Sequence, residues 1–454
     1  MERKIDTLIY NARVVTDGAV KMGYVAIEGD IIAETGEGNP SDELMSGAAT
    51  LVDAEEKLLL PGAIDEHVHF RDPGLTHKAD MASESSAAVA GGVTSFIDMP
   101  NTKPMTVTNE ALCEKMRRAS ETSVANYGFF IGATNDNLEE LLNADYSKVA
   151  GVKLFLGSST GNMLVDNGKM LNDIFANVKA LIAVHAEDEA VIRRNRQAVI
   201  EKYGENLPID FHPVIRSHEA CYKATAHAVE LARRYDARLH VMHVSTADEL
   251  EFFAPGPIEG KRITAETCPQ YLMFTDELYE VLGARIKCNP AIKRSADREA
   301  LRSAVADGRI DVIATDHAPH LLSEKTGTAL TAVSGMPMVQ FSLSVMMELV
   351  REGVFTLPGV VTAMSHNPAK VFGIDRRGFI RKGYYADLVL FDDECEPYTV
   401  TDDDVISKCK WTPLEGMTLH GRPVMTWVNG NVAFRYGVVF GSVKGSALRF
   451  GKMY

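Results

Sequence analysis

The chain has 454 residues, of which 46% are hydrophobic and 24% are charged, so it can form a large barrel plus a smaller domain and bury a core without disulfides. Its net charge of −15 disfavours nucleic acid and anionic membranes as partners. The six cysteines show no CxxC spacing, no run of 18 apolar residues occurs, and the first residues carry no apolar leader, so we expect a cytoplasmic protein with reduced thiols.

Both ends of the chain predict short β-strands. Residues 1–60 alternate apolar and polar side chains between Gly and Asp turns, and residues 376–454 do the same. The Asn-Gly pair at 429–430 is typical of a β-hairpin. Two all-β ends therefore flank a different middle.

The middle of the chain, residues 61–375, predicts repeated βα units. Short β-branched runs alternate there with helical stretches, which is the pattern of a parallel sheet. Eight strands are predicted, at residues 63–69, 94–99, 127–131, 152–156, 181–185, 239–243, 263–267 and 311–316. Their number and spacing fit an eight-stranded barrel with an insertion at residues 195–217.

The first of these strands ends in two histidines. His67 and His69 are two residues apart, so on a strand they face the same side and can converge on one metal ion. The C-terminal end of a barrel strand is also where barrel active sites are built. The pair by itself is equally compatible with two histidines that bind no metal. The residues at the ends of the other predicted strands distinguish the two interpretations.

Four further predicted strands each place a candidate ligand at the same C-terminal end of the barrel. His185, His243 and Asp316 each end an apolar run, and Lys153 lies inside another. A buried ammonium is strongly disfavoured, so Lys153 must be ion-paired, deprotonated, or modified by carbon dioxide to a carbamate. A carbamate has two anionic oxygens and could bridge two metal ions.

Together these side chains supply six nitrogen and oxygen ligands, enough for two divalent ions. Their imidazole-rich character favours zinc over magnesium or calcium, with cobalt or manganese as possible substitutes. A paired metal site activates a bridging water and polarises a carbonyl. Asp316 is then placed to take a proton from that nucleophile and pass it to a leaving nitrogen, which is chemistry for opening or closing a C–N amide bond.

Two motifs carry a resemblance to a known family. Residues 65–71 (Asp-Glu-His-Val-His-Phe-Arg) and residues 314–320 (Ala-Thr-Asp-His-Ala-Pro-His), followed by Lys325, resemble the amidohydrolase superfamily and, within it, the dihydroorotase branch of the cyclic amidohydrolases. The resemblance implies a (β/α)8 TIM barrel over residues 61–375 and a small β-sandwich built from residues 1–60 and 376–454. It also implies the reversible cyclisation of N-carbamoyl-L-aspartate to L-dihydroorotate in pyrimidine biosynthesis.

The same resemblance implies a role for each candidate site residue. Two zinc ions would be held by His67, His69, His185, His243, Asp316 and a carboxylated Lys153, with Asp316 also acting as the catalytic acid and base. The substrate would be bound by Arg71, Asn101, Asn289, His320 and Gly335. Residues 331–337 depart from the Pro-Phe-Gly turn of many bacterial members, so Gly335 is carried over only as part of that altered turn.

Other functions stay open on the sequence. Allantoinases and hydantoinases use the same metals on other rings, and catalytically silent relatives serve as structural partners. Arg71, Asn101 and Asn289 argue against these rings, because a fixed set of carboxylate-binding groups favours a substrate that bears a carboxylate. We expect a homo-oligomer, most simply a dimer, with a small-molecule substrate and with residues 321–337 as the candidate segment that closes over it.

Overall fold

The computed structural model describes residues 5–157 and 163–451. Residues 1–4 and 452–454, at the outer ends of the two expected β segments, lie outside this part of the chain, as do residues 158–162. No helix in the described ranges is both long enough and apolar enough to cross a membrane.

Strands from both ends of the chain form one nine-stranded sheet. Its spatial order begins with the C-terminal strands β20 (Val438–Val439), β19 (Asn431–Arg435), β18 (Arg422–Val428) and β15 (Leu388–Asp392). The N-terminal strands are β1 (Ile5–Thr16), β2 (Ala19–Glu28), β3 (Ile31–Glu37), β4 (Ala48–Asp53) and β5 (Leu58–Pro61). They follow in the order β5, β1, β2, β3, with β4 also paired to β1. The two ends meet where β5 pairs antiparallel with β15, and they close on a shared apolar core that includes Ile9, Val25, Leu388 and Trp427.

The middle of the chain forms the barrel. Its strands are β6 (Ala63–Val68), β7 (Val93–Asp98), β8 (Asn126–Phe129), β9 (Ile131–Gly132), β10 (Val152–Phe155), β11 (Ile182–His185), β12 (Leu239–Val241), β13 (Ile263–Thr267) and β14 (Val312–Ile313). All pairings between them are parallel. Because β8 and β9 are two parts of one strand interrupted at Phe130, the barrel has eight strands, as predicted.

The barrel closes between its first and last strands. The amide of His69 donates to the carbonyl of His317 at 2.8 Å, and the amide of His317 donates to the carbonyl of His67 at 3.3 Å. These bonds bring the ends of β6 and β14 side by side. The predicted (β/α)8 barrel with a β-sandwich from both termini is therefore confirmed.

Helices follow the barrel strands and begin at side-chain caps. Asp80, Thr108, Asn167 and Asp188 each accept a hydrogen bond from a backbone amide in the first turn of the helix that follows, as expected for N-cap residues. The helices are α1 (Asp42–Gly47), α2 (Met81–Ala90), α3 (Asn109–Thr122), α4 (Leu138–Asn143), α5 (Gly168–Asn177), α6 (Glu189–Tyr203), α7 (His212–Ile215), α8 (His218–Tyr235), α9 (Pro269–Met273), α10 (Tyr279–Leu282), α11 (Ser295–Ala306), α12 (Ser342–Arg351), α13 (Leu357–Val361) and α14 (Asn367–Phe372).

The remaining strands belong to the C-terminal part of the chain. They are β15 (Leu388–Asp392), β16 (Tyr398–Thr399), β17 (Thr418–Leu419), β18 (Arg422–Val428), β19 (Asn431–Arg435) and β20 (Val438–Val439). Of these, β16 and β17 pair only with each other, as a separate two-stranded sheet.

A buried polar network joins the terminal sheet to the barrel. The carboxylate of Asp387 forms an ion pair with Arg377 and accepts hydrogen bonds from the side chain of Asn126 on β8 and the amide of Asn429. Asp387 and Arg377 are each 4% exposed. Since water cannot replace these partners, the network fixes the terminal sheet against the barrel.

We expect Asp387→Asn to lower the free energy of unfolding by about 3 kcal/mol, because it leaves the Arg377 guanidinium buried without a counter-charge. The matched control is Asp17→Asn, which removes an ion pair to Arg381 in which both side chains are more than 40% exposed, and we expect it to cost at most about 1 kcal/mol. Urea unfolding of both variants measures the difference. Equal losses of unfolding free energy in both variants would show that burial does not increase the contribution of the Asp387–Arg377 pair to stability.

Candidate metal centre

A pocket of about 60 Å³ lies at the C-terminal end of the barrel strands. It brings together every site residue predicted from the sequence except His320, which lies behind Arg71. The predicted residues that line it are His67, His69, Arg71, Asn101, Lys153, His185, His243, Asn289, Asp316 and Gly335.

Three of these residues have an unusual backbone. Arg71, His243 and Asp316 have φ values of 65°, 43° and 48°, in the left-handed region that residues other than glycine adopt rarely. Strand β6 ends at Val68 and β12 at Val241, so Arg71 and His243 lie beyond the regular strands. The left-handed backbone at Arg71 accompanies a side chain that lines the pocket. Such local strain clusters at functional sites.

His67, His69 and Asp316 form one compact group. The Nε2 atoms of His67 and His69 lie 3.3 and 3.0 Å from the same carboxylate oxygen of Asp316. Burial opposes ionisation of Asp316, but the two histidines outweigh it and lower the pKa of this carboxyl. The carboxylate is therefore ionised and faces both rings.

The outer nitrogens of both rings are held by acceptors. His67 Nδ1 lies 3.0 and 3.1 Å from the two carboxylate oxygens of Glu266, and His69 Nδ1 lies 2.8 Å from Oδ1 of Asn101. Each outer nitrogen must therefore carry the proton. Burial lowers the pKa of His67 well below its ordinary value, so its ring is neutral and its Nε2 has a lone pair.

The lone pair of His67 Nε2 thus points at the ionised carboxylate of Asp316. Two acceptors 3.3 Å apart repel each other unless a cation lies between them. Outer-nitrogen hydrogen bonds to carboxylate or amide oxygens are also the usual support for metal-binding histidines. The donor set at this position therefore fits a metal ion.

His185 and His243 form a second group. His185 Nδ1 lies 2.7 Å from His243 Nε2, and burial lowers the pKa of both imidazoles. The other nitrogen of His185 lies 3.1 Å from Oε2 of Glu187, and that carboxylate is ion-paired with Arg216. Two neutral rings that direct nitrogens at one point again match a metal site.

Lys153 lies between the two groups. Its side chain is fully buried, and its charge acts on the pKa of His67, His185 and His243. No carboxylate in the described ranges lies within 4 Å of its amine, which contacts the Met242 thioether instead. Desolvation lowers the pKa of Lys153 to about 8, so roughly a tenth of the amine is neutral at pH 7, against far less for an ordinary lysine.

Arg71 and His320 lie at the edge of this centre. Arg71 Nε donates to the Pro319 carbonyl at 3.1 Å, and its Nη2 lies 3.0 Å from His320 Nε2. The other ring nitrogen of His320 lies 3.0 Å from the Lys78 amine. A neutral imidazole has one acceptor and one donor nitrogen, so it cannot accept from both cations at once.

Asn289 and Gly335 complete the pocket. The Oδ1 atom of Asn289 is buried without a hydrogen-bond partner in the described chain. Gly335 has φ of 127°, and a Cβ there would lie 2.7 Å from the Ala318 carbonyl oxygen, so only glycine fits. The amine of Lys325 donates to the carbonyls of Lys287, Val333 and Gly335. The bonds to Val333 and Gly335 lie within the predicted closing segment, residues 321–337, and the bond to Lys287 ties that segment to the neighbouring loop.

The sequence analysis missed the residues behind the pocket. Glu266 holds His67, Glu187 holds His185, and Lys78 contacts His320. A further buried group, Glu66 and His240, lies beneath Glu266, with His240 Nε2 3.0 Å from Glu66 Oε1. Glu266, like Lys153, is a charged residue on a buried barrel strand, so the same burial argument could have found it.

Comparison with known proteins identifies the family. Residues 58–433 match the amidohydrolase family. The chain belongs to that family. Among curated relatives of this amidohydrolase, a dihydroorotase of Halobacterium salinarum is 37% identical over 379 residues, covering 83% of this chain and 86% of the relative. An allantoinase of Streptomyces avermitilis is 33% identical over 432 residues, covering 94% of this chain and 95% of the relative.

Solved structures give the same picture. An L-hydantoinase (dihydropyrimidinase) from Arthrobacter aurescens superposes on this amidohydrolase with a TM-score of 0.91 at 27% identity, covering 98% of this chain and all of that one. The resemblance inferred from the two motifs is therefore confirmed at the level of the family. The chain is a cyclic amidohydrolase by likeness, and the ring it acts on is a separate question.

We expect Glu266→Gln to weaken zinc binding by about 10- to 100-fold, because an amide in place of the carboxylate no longer fixes the protonated nitrogen of His67 as strongly. Glu249→Gln is the control, since Glu249 is equally buried but accepts from the hydroxyls of Thr225 and Thr246. Competition titration with a chelating dye measures both affinities. Wild-type affinity in the Glu266 variant would exclude this supporting role.

Proposed function

We propose that this amidohydrolase is a dihydroorotase, which interconverts N-carbamoyl-L-aspartate and L-dihydroorotate with two zinc ions. The observation that carries the proposal is the unmatched charge of Arg71. Its side chain is 3% exposed, and it forms no ion pair with a carboxylate in the described ranges. Burial destabilises its charge more than the distant carboxylates, Asp316 first, stabilise it, so the pKa of Arg71 falls to about 10. A buried cation without a counter-ion is costly, so a substrate carboxylate is the partner that the site lacks.

The neighbours of Arg71 support that choice. The Pro319 carbonyl holds Nε, while Nη2 faces His320, which the Lys78 amine approaches from the other side. An incoming carboxylate can accept from the guanidinium and relieve this competition between donors. Asn101, whose Oδ1 is engaged by His69, keeps its amide group as a further donor for the same carboxylate.

The metal ligands in this proposal are divided between the two groups. His67 and His69 would hold one ion, His185 and His243 the other, and Asp316 would contact the first. The neutral amine of Lys153 would add to carbon dioxide and lose a proton, and the resulting carbamate would bridge the ions. Two bound zinc ions supply a nucleophile at neutral pH and polarise the ring carbonyl.

Asp316 is the proton carrier in this scheme. In ring opening its carboxylate accepts the proton released by the attacking water and delivers it to the ring nitrogen that leaves; ring closure reverses both transfers. The side chain is 8% exposed, so the transferred proton is shielded from bulk water. Asn289 also lines the pocket, and its unpartnered Oδ1 would accept from a ring N–H.

The rival assignment is an allantoinase or hydantoinase. It is favoured by the allantoinase relative and by the close superposition on an L-hydantoinase. Those named substrates are rings without a carboxylate, however, and would leave Arg71 unpaired. A catalytically silent relative is a further alternative, and the retention of all six candidate ligands argues against it. The expected dimer, cytoplasmic location and lack of a nucleic-acid partner stay predictions.

The deciding assay uses purified protein of measured metal content on L-dihydroorotate, allantoin, hydantoin and dihydrouracil. We expect turnover of L-dihydroorotate with about two zinc ions per chain, and at least about 100-fold lower kcat/KM for dihydrouracil, which lacks the carboxylate. Preference for an uncharged ring would reject the assignment to dihydroorotate. No turnover by fully loaded protein would support the silent alternative.

We expect Arg71→Gln to lower kcat/KM for L-dihydroorotate by about 100-fold or more, because a charge-assisted, two-point contact to the carboxylate is lost. The slow reaction with dihydrouracil should change little, since that ring has no group for Arg71 to bind. Arg117→Gln, on the exposed face of α3, is the control. An equal fall in kcat/KM for L-dihydroorotate and dihydrouracil would show that Arg71 does not bind the carboxylate.

We expect Lys153→Ala to lose bound zinc and activity together, because both ions share the proposed carbamate. Short carboxylic acids such as propionate should restore part of the activity by filling the vacated space with a carboxylate. Lys148→Ala, at an exposed lysine paired with Asp145, is the control. Full zinc content in the Lys153 variant would show that zinc binding does not need the proposed carbamate.

A further inference from the structure

A second pocket, of about 180 Å³, adjoins the metal centre. Asn289 and Ser334 line both pockets, so the two pockets are neighbours that share these two wall residues. Helix α6, the segment around α7 and the end of the closing segment form its walls. We call it the arginine vestibule and define it by Arg193, Arg196, Arg216, Lys287, Asn289 and Ser334.

The vestibule is strongly cationic in a protein of net charge −15. Its lining contains four cationic side chains and one carboxylate, Glu189, which lies 3.9 Å from Arg193. Charges of one sign gathered in a concave site focus the field and raise the local concentration of the opposite ion. The surface is therefore suited to an anion.

The cations of the vestibule keep unused hydrogen-bond donors. Arg216 gives one guanidinium nitrogen to Glu187, and its other two have no hydrogen-bond partner in the described chain. Arg196 has no ion pair or hydrogen bond from its side chain within the same ranges. The Lys287 amine donates to the carbonyls of Ala329 and Ala332, so its positive charge is not neutralised by a carboxylate.

These cations also repel one another. Burial, followed by the neighbouring Arg216 charge, lowers the pKa of Lys287 to about 8, which leaves the amine mostly protonated at neutral pH. The buried His212 beside them is held neutral, and its Nε2 donates to the Cys288 carbonyl. An anion between Arg216 and Lys287 would relieve the repulsion.

The catalytic scheme above makes no use of this surface. Arg71, Asn101 and His320 do not line the vestibule, and Asn289 belongs to its boundary with the metal centre. We propose that the arginine vestibule binds a carboxylate of the open-chain ureido acid as that acid passes between solvent and the metals. This inference rests on the proposed function, in which the open-chain acid has two carboxylates and the ring only one.

The test compares zinc-loaded wild type with Arg196→Gln and Arg194→Gln. Both arginines are exposed on α6, and both variants lose one positive charge. Arg194 does not line the vestibule and pairs instead with Glu219 at 2.6 Å, so it controls for net charge. Arg216 is not used, because its loss would also release Glu187 from the metal centre.

The first measurement is calorimetric binding of succinate, a dicarboxylate that cannot cyclise, at low ionic strength. We expect Arg196→Gln to weaken binding by about 5- to 10-fold and Arg194→Gln by less than about 2-fold. Equal affinities in all three proteins, or equal weakening in both variants, would overturn the inference. Because this measurement needs no turnover, its result is independent of the proposed reaction.

The second measurement separates two sources of the oxyanion. If inorganic phosphate binds at least about tenfold more tightly than succinate and depends on Arg196, the vestibule serves a phosphate ligand and the substrate role is overturned. In the supporting case, kcat/KM for N-carbamoyl-L-aspartate falls in Arg196→Gln and loses part of its dependence on salt. Arg196-dependent succinate binding without any turnover would reject the proposed function while supporting a carboxylate site.

Discussion

The repulsion between the His67 lone pair and the Asp316 carboxylate is the constraint on which the centre depends. Glu266 fixes the proton on the outer nitrogen of His67, and burial keeps the ring neutral. Two acceptors then face each other at 3.3 Å. Closure of the barrel between β6 and β14 holds the two acceptors at this distance. The fold therefore favours a cation at this position.

Four buried cations beside the pocket differ in how well their hydrogen-bonding capacity is used. Lys325 donates to three main-chain carbonyls and Lys287 to two, so their hydrogen-bonding capacity is used in fastening the segment beside the pocket. In the described part of the chain, the Lys153 amine contacts the Met242 thioether and the Phe155 ring rather than a carboxylate. One nitrogen of Arg71 faces His320. A buried charge that the fold leaves poorly paired is costly, and both such residues line the metal pocket.

The relatives show how one scaffold serves several substrates. An L-hydantoinase shares the fold at a TM-score of 0.91 although only 27% of residues are identical, and relatives named dihydroorotase and allantoinase are similarly distant. Fold and metal ligands alone therefore do not define the ring. In the proposed function, the ring is selected by side chains at the rim of the barrel, such as Arg71 and Asn289.

The sequence by itself determined the eight barrel strands and the donors at their ends, because each donor follows or interrupts an apolar run whose burial is a local property. It could not determine the backbone at Arg71, His243 and Asp316, which is left-handed only because neighbouring segments hold it so. Nor could it pair Glu266 with His67, almost 200 positions away in the chain, or gather the vestibule from α6, α7 and the closing segment. Those contacts exist only once the barrel closes, since tertiary packing alone brings such distant residues together.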